Sequence, residues 1–275
     1  MQASSEHVYQ TLISGIKNFF DTAGVERAVL GLSGGIDSAV ALCLAVDALG
    51  KEHVHGLMMP SPFSTVHSVT DAIKLAEQMD VGYDIVPIDA IYHKFLKELS
   101  PLFGNAQADV TEENIQARIR GTLLMAYTNK KGCLLLNNTN KSELAMGYGT
   151  LYGDLAGALM VLADVYKTEV YELASFINSE TRRIPVSIIK KEPSAELRNA
   201  QKDSDTLPPY PLLDPVLFAL IEEQQRPEEL LAKGVSKEVV EQAAHALHTS
   251  AFKRLQLPPL IKISDHPLLP QDKWR

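Results

Sequence analysis

The sequence predicts an α/β protein built on a doubly wound, mostly parallel sheet, with further helices toward the C-terminus. Three observations carry this expectation. Short apolar runs alternate with segments of helical period at the spacing of β-α-β crossover units. The stretch "LGLSGGIDSAV", residues 30–40, breaks the first apolar run on two glycines where a strand would hand over to a helix. The 275 residues are 45% hydrophobic and 22% charged, the balance of a globular chain long enough to bury a core.

In order along the chain, "VYQTLISGIKNFF" spaces Val8, Leu12, Ile16, Phe19 and Phe20 for one face of a lead-in helix. "RAVLGL" reads as a short buried strand. Ser38 to Leu49 is nearly all Ala, Val and Leu, and Gly50 stands where a helix C′ residue belongs. "HVHGLMMP" is a second strand, ended by Pro60, and "TVHSVTDAIKLAEQM" is helical by its Val66, Val69, Ile73 and Ala76 spacing. "YDIVPI" gives a third strand and residues 89–99 a helix. A long helix is expected from Thr111 to Asn129, with "TEEN" opening it as a capping box. "CLLLNN" is a fourth strand and "YKTEVYELASFIN" a later helix. Residues 181–215 scatter six prolines among charged residues and read as a long loop, of a length that is usually functional or disordered. Residues 214–250 suggest two or three short amphipathic helices, and a Pro-rich tail carrying Trp274 ends the chain. The expected organisation is a single domain: residues 1–180 as nucleotide-binding core, 181–215 as active-site loop, 216–275 as C-terminal helices and tail.

Composition excludes more than it identifies. A net charge of -8 argues against a nucleic-acid surface, although a local basic pocket can hold phosphates inside an acidic protein. The two cysteines, Cys43 and Cys133, sit in apolar company with no C-x-x-C pair, which disfavours a thiolate zinc site or a disulfide framework and fits a reducing compartment. The N-terminus lacks the pattern of a secretory signal, and no apolar run approaches the roughly 18 residues of a membrane span. A cytoplasmic protein is expected. His53 and His55 alternate on a strand and His245 and His248 share a helix face without an acid at ligand spacing, so they read as structural.

The glycine turn carries the chemistry. At the carboxyl end of a parallel strand, backbone N–H groups and the dipole of the following helix make an anion site. Gly34 and Gly35 let the main chain approach an anion without a Cβ in the way, and Ser33 and Ser38 add hydroxyls. A carboxylate at Asp37 would repel a bare phosphate, so its presence suits a divalent cation bridging acid and phosphates. The plainer alternative is a tight turn with an Asp cap. Neither G-x-x-x-x-G-K-[ST] nor G-x-G-x-x-G is present.

What is present, "SGGIDS" at the start of the first β-α unit, resembles the pyrophosphate-loop signature S-G-G-x-D-S of enzymes that cleave ATP to AMP and pyrophosphate. In chain order, "NIQARIRG", "NNTNKSELAMGYGTLYGDLAG", "DVYKTEVYELA", "PSAELRNAQKDSDTLPPYPLLD" and "FKRLQLPP" resemble NAD synthetase, from about Ala28 to Pro259. The resemblance is to the synthetase portion of the glutamine-dependent enzymes, without their amidase domain. It implies a Rossmann-like fold of the adenine nucleotide alpha hydrolase type, magnesium, ATP as co-substrate, and a homodimer whose interface lies near the dinucleotide site. The apolar face of the first helix and the tail with Trp274 are candidate contributors to that interface. The implied reaction amidates deamido-NAD: ATP adenylylates the pyridine carboxylate, ammonia attacks the mixed anhydride, and AMP leaves.

Carried over residue by residue, the resemblance gives Gly31, Leu32, Ser33, Gly34, Gly35, Ile36, Asp37 and Ser38 to the ATP phosphates. Asp37 and Glu143 become magnesium ligands, although Lys141-Ser142-Glu143 also suits a capped helix start. Lys167 would pair with ATP phosphate, Ser194 would contact the nucleotide, and a further ATP contact falls on Asn138 or Thr139. Arg118 and Lys253 would contact deamido-NAD, and Asp154 would orient ammonia or accept its proton, unless it is an ordinary turn carboxylate. Helix geometry, taking Ile115, Ile119, Thr122 and Ala126 as the buried stripe, favours Arg118 over Arg120 for the site and leaves Arg120 solvated. Phe252 departs from the His-Lys that many ammonia-dependent members carry, and Leu151 replaces the lysine often found after Thr150. About 25 residues precede the first strand, and neither cysteine has the setting of a nucleophile, so free ammonia or a separate glutaminase is the expected nitrogen source. A GMP synthetase-like amidotransferase and a non-catalytic nucleotide sensor are the competing readings.

Overall fold

The structure is a computed structural model, and it describes residues 4–104 and 106–268. Trp274, a candidate interface residue, lies outside them. The first half alternates as expected: α1 (Ser5–Ala23), β1 (Ala28–Gly31), α2 (Ile36–Leu49), β2 (Val54–Met58), α3 (Val66–Gln78), β3 (Gly82–Ile85), α4 (Asp89–Phe103), α5 (Val110–Lys131) and β4 (Leu134–Asn137). Then come α6 (Lys141–Met146), β5 (Leu159–Met160), α7 (Lys167–Ile177), α8 (Val186–Lys190), α9 (Tyr210–Ile221), α10 (Pro227–Ala232), α11 (Lys237–Thr249) and α12 (Ala251–Arg254).

The five strands pair in parallel in the order β3-β2-β1-β4-β5, so the direction of winding reverses between β1 and β4. Side chains of β1 alternate across the sheet. Ala28 and Leu30 join α1, α2, α3 and α7 on one face, while Val29 joins Ile88, Tyr92, Ile115 and Ile119 of the α4–α5 layer on the other. A further cluster of α6, α9, α10 and α11 extends the fold beyond β5. The crevice at the carboxyl ends of β1 and β4 is therefore the switch point at which open α/β sheets bind ligands.

Several expectations are corrected. The first helix does not offer its apolar face to a partner: Val8, Tyr9, Leu12, Ile16 and Phe20 are buried in this chain's own core. The capping box of α5 begins at Asp109 rather than Thr111, pairing with Glu112, because the Asp109 carboxylate accepts from the Thr111 N–H while Glu112 reaches back to the Asp109 N–H. Residues 181–215 are not one loop. They hold α8, a 3₁₀ turn at Asp203–Asp205 and the start of α9, where Pro209 and Pro211 stand at the cap and first turn, which tolerate proline. Two-residue β5, inside the unbroken apolar run "GALMVLA", had no periodicity to announce it.

Candidate active site

The glycine turn links Gly31, the last residue of β1, to α2. Gly34 has φ 75°, and a Cβ there would overlap the Ser68 carbonyl, so glycine is required on both conformational and steric grounds. The serines fold the turn on itself. Ser33 Oγ accepts the Gly35 N–H at 3.2 Å and Ser38 Oγ donates to the Gly35 carbonyl at 2.9 Å. These hydroxyls hold the loop in shape. What the loop also offers is the first turn of α2: Gly35 caps it with no side-chain hydrogen bond, so its leading N–H groups open toward the crevice.

Three charged side chains converge there. Lys167, the first residue of α7, is buried with its Nζ 2.5 Å from Asp37 Oδ2 and 3.5 Å from Glu143 Oε1. Burial works against the charge of this ammonium, but Asp37 and Glu143 outweigh it and hold the group firmly protonated. Burial pushes the Glu143 carboxyl well above its ordinary range, opposed by Lys167 and reinforced by Asp37 and Asp203. The capped helix start expected at Glu143 is present, and its carboxylate also faces the site. As third residue of α6 it completes a capping box with Asn140, and it still presents Oε1 to the site.

The main chain around Lys167 is held from behind. Its N–H donates to Ser142 Oγ at 2.9 Å, and Ser142 in turn donates to Asp214 Oδ1 at 2.7 Å. The other Asp214 oxygen accepts from the Thr168 N–H at 2.8 Å, so a buried carboxylate of α9 sits at the N-terminus of α7.

Asp37, Glu143 and Lys167 line a cavity of about 320 Å³, with Asn138, Thr139, Asp154, Arg120, Asp203 and Ser194 on its other walls. Asn138 donates to the Gly31 carbonyl at 3.0 Å, and its buried Oδ1 has no partner among the described residues. Thr139, by contrast, is satisfied within the protein, its N–H on Asn137 and its hydroxyl on the Asp154 carbonyl. Asn138 therefore keeps a buried, unpartnered acceptor for a ligand, whereas both Thr139 donors are already used within the protein. Ser194 Oγ accepts from the Glu196 N–H and donates to the Gln201 carbonyl, shaping the strap 193–197 that closes one side. Asp154 opens onto the cavity. The surrounding protein raises its carboxyl above the ordinary value, against the Thr150 N–H, Lys253 and Arg120.

Of the two arginines of α5, Arg120 is the one that departs from expectation, since it is not solvated but lines the cavity. Arg120 lines the cavity, donating to the Met59 carbonyl at 3.0 Å, and burial lowers its guanidinium to about 10. Arg118 is exposed and donates to the Leu151 carbonyl at 3.3 Å. The buried stripe runs through Ala117, Gly121 and Thr128, whereas Thr122 and Ala126 are exposed. Residue size misled the assignment, since the site-facing stripe uses small residues where a Cβ on Gly121 would crowd the Tyr152 and Gly153 carbonyls. Lys253 also stands outside the cavity, donating to the carbonyls of Gly147 and Gly149 at 2.8 and 2.7 Å. Burial lowers its ammonium, Asp154 opposes this and Arg118 adds to it, which puts the two cations near one another beside the loop that carries Asp154.

Sequence reasoning passed over Asn140, Asp203 and Asp214. Asp203 accepts hydrogen bonds from Tyr210 at 2.9 Å and Tyr148 at 3.4 Å and is raised by burial. Its signal was weak, a carboxylate in a Pro-rich stretch that read as loop. Neither cysteine lines the cavity, and burial pushes the Cys43 thiol up to about 12.

The donor chemistry of Asp37 and Glu143 fits a hard divalent cation shared with substrate phosphates, because each acid turns one carboxylate oxygen toward the crevice, where both now pair with the Lys167 ammonium. Among the described residues no group of three or more His, Cys, Asp or Glu could hold a metal, so its remaining ligands would be substrate oxygens and water. Among the same residues, no helix is long and apolar enough to cross a membrane.

A sequence profile of the NAD synthase family matches residues 8–258. A glutamine-dependent NAD(+) synthetase of Synechocystis sp. is 47% identical over 261 residues, which are 95% of this chain and 47% of that protein. The solved NH3-dependent NAD synthetase of Campylobacter jejuni has TM-score 0.75 and 30% identity over 94% of this chain and 100% of that one. The NMN synthetase of Francisella tularensis has TM-score 0.79 and 28% identity over 97% of this chain and 99% of that one. The chain spans slightly less than half the length of the curated glutamine-dependent relatives it matches.

Proposed function

Because the chain belongs to the NAD synthase family, we propose that its crevice amidates the pyridine carboxylate of deamido-NAD to give NAD, cleaving ATP to AMP and pyrophosphate. One observation carries the reading: a donor-rich helix start, two carboxylates and a buried lysine meet at the sheet's switch point.

A pyridine carboxylate resists ammonia because its charge repels a nucleophile and oxide is a poor leaving group. Attack of a carboxylate oxygen on the α-phosphorus of ATP forms the acyl-adenylate as the bond to pyrophosphate breaks. The N–H groups of Ile36 to Ser38 bind the polyphosphate, and Lys167 neutralises charge on the departing pyrophosphate. When bound, a magnesium ion on Asp37 and Glu143 supplies further charge neutralisation. Arg120, which lies in the cavity wall with its Nε on the Met59 carbonyl and no salt bridge to an acid among the described residues, suits the substrate carboxylate or the adenylate phosphate. Arg118 and Lys253 hold the dinucleotide on the outer side of the 147–154 loop, and Asn138 offers Oδ1 to a donor of the nucleotide. Ammonia then adds to the acyl carbon, Asp154 takes its proton, and AMP leaves. Ammonia is the nitrogen donor of these 275 residues, free or delivered by a glutaminase, and two copies form the working unit in the cytoplasm.

The likeness to an NMN synthetase favours one second reading, in which the amidated substrate is the mononucleotide. The experiment follows AMP formation with ATP, magnesium and ammonium, supplying deamido-NAD or its mononucleotide counterpart. The expected result is AMP formation with deamido-NAD in the wild type, weak use of glutamine, and loss of at least about a hundredfold in Asp37→Asn. Preference for the mononucleotide installs the second reading. No AMP with either substrate and any nitrogen donor overturns both.

A further inference from the structure

We infer that Asn140 is a positioning residue that occupies one oxygen of Asp37 and one of Glu143, so that each acid presents its other oxygen to a shared divalent cation. The inference rests on the function proposed above.

Asn140 is fully buried and does not line the cavity, yet it touches both acids. Its Nδ2 donates to Asp37 Oδ1 at 3.0 Å. Its Oδ1 accepts from the Glu143 N–H at 2.9 Å, and its own backbone N–H donates to Glu143 Oε2 at 3.3 Å. The oxygens left over, Asp37 Oδ2 and Glu143 Oε1, are the two that face Lys167 Nζ. A carboxylate free to rotate could chelate with both oxygens or turn away. These bonds fix each acid in a one-oxygen mode before the cation arrives, as outer-shell partners do for metal ligands.

The side chain chemistry is specific. A helix cap needs only an acceptor, which Ser or Asp supplies as well as Asn. Reaching Asp37 needs a donor at the same time, on a side chain long enough to span the gap, and only the amide has both. The backbone beneath cannot drift, because the neighbouring Lys141 donates its N–H to the Val165 carbonyl at 2.9 Å and buries its ammonium against Asp164 at 2.7 Å.

The test separates capping from positioning. Asn140→Ser keeps the cap but falls short of Asp37. Asn140→Asp keeps the cap and sets a like charge against it. Binding of Mn2+ to the full chain with ATP is read from the free-ion paramagnetic resonance signal, with thermal melting in parallel and Asp37→Asn for comparison. The expected result is Mn2+ affinity weakened about 10–100-fold in both Asn140 variants, with melting close to wild type. Wild-type affinity in Asn140→Ser while Asp37→Asn binds poorly overturns the inference and leaves the proposed function standing. Loss of binding only in proportion to unfolded protein makes Asn140 a structural residue and equally overturns it. Undiminished binding in Asp37→Asn removes the cation site itself and with it the reading beneath.

Discussion

Asp154, proposed above to take the proton of ammonia, has surroundings that bear on that role. Its carboxyl is raised by the protein around it, and the Thr150 N–H, Lys253 and Arg120 resist that rise without cancelling it. A base of this kind works only when ionised. Activity that depends on it is therefore present above the raised pKa and lost as pH falls through it, at higher pH than an ordinary aspartate would give. Asp154→Asn is expected to lower kcat by about 10²–10⁴-fold and to abolish that acidic limb in ammonium-dependent turnover. An unchanged limb would assign the titration to another group. At this scale the sequence was legible where a motif constrained the backbone and not where facing had to be guessed. Asp37, Glu143 and Lys167 stand together as their motifs implied. Arg120, expected to be solvated, lines the cavity because the stripe facing the site is built from the small residues Ala117 and Gly121 and not from Thr122 and Ala126.

The short helix α6 does more positioning than its length suggests, since its first three residues serve three different neighbours. The buried Lys141 ammonium meets buried Asp164, partly buried Glu222 and Ser264, and the His266 carbonyl, and lies 5.1 Å from the centre of the Tyr166 ring. Ser142 links to Asp214 and the start of α7, and Glu143 faces the cavity. Asp164 also accepts from the N–H groups of Ile263 and Ser264, so this cluster pins residues 263–264, far along the chain, to the core. Lys141→Met would leave Asp164 charged, buried and without its cation. The expected cost is about 3–5 kcal/mol, seen as a drop in melting temperature on the order of 10 °C. The double variant Lys141→Met with Asp164→Leu should recover part of it, and no recovery would show that the pair is not what matters. None of this could be read from "NKSE", because a buried lysine and a solvated one look alike until distant Glu222 and Ser264 are brought beside it. Strands of continuous apolar residues such as β1 and β4 were legible for the opposite reason: their pattern is local.

Across the whole molecule, the cavity is closed by joining regions far apart in sequence, and Glu196 is the point where they meet. Its carboxylate accepts from the Thr65 N–H and hydroxyl at 3.1 Å each, from Lys191 at 3.0 Å and from Ser68, which ties the strap 193–197 to the N-terminus of α3 just above Gly34. The residue pays with a left-handed backbone at φ 49°, which costs energy in a non-glycine residue and persists because these bonds hold it. Burial opposes ionisation of Glu196, but the bonds from Ser68 and Lys191 outweigh it and hold the carboxyl below its ordinary value. The sign follows directly: the latch is fully engaged above the unfolded-state pKa of about 4.3 and is lost as pH falls through the lower, folded value. Glu196→Gln keeps the shape but weakens the charge-assisted bonds, so the strap should open at neutral pH as the wild type does only in acid. The expected signature is faster proteolysis within residues 192–202 and a raised KM for ATP, with global melting little changed. Equal protection of the strap in the two proteins at pH 7 would mean that Gln116, which donates to the Leu197 carbonyl at 2.8 Å, and Arg198, paired with Glu113, suffice to hold it shut.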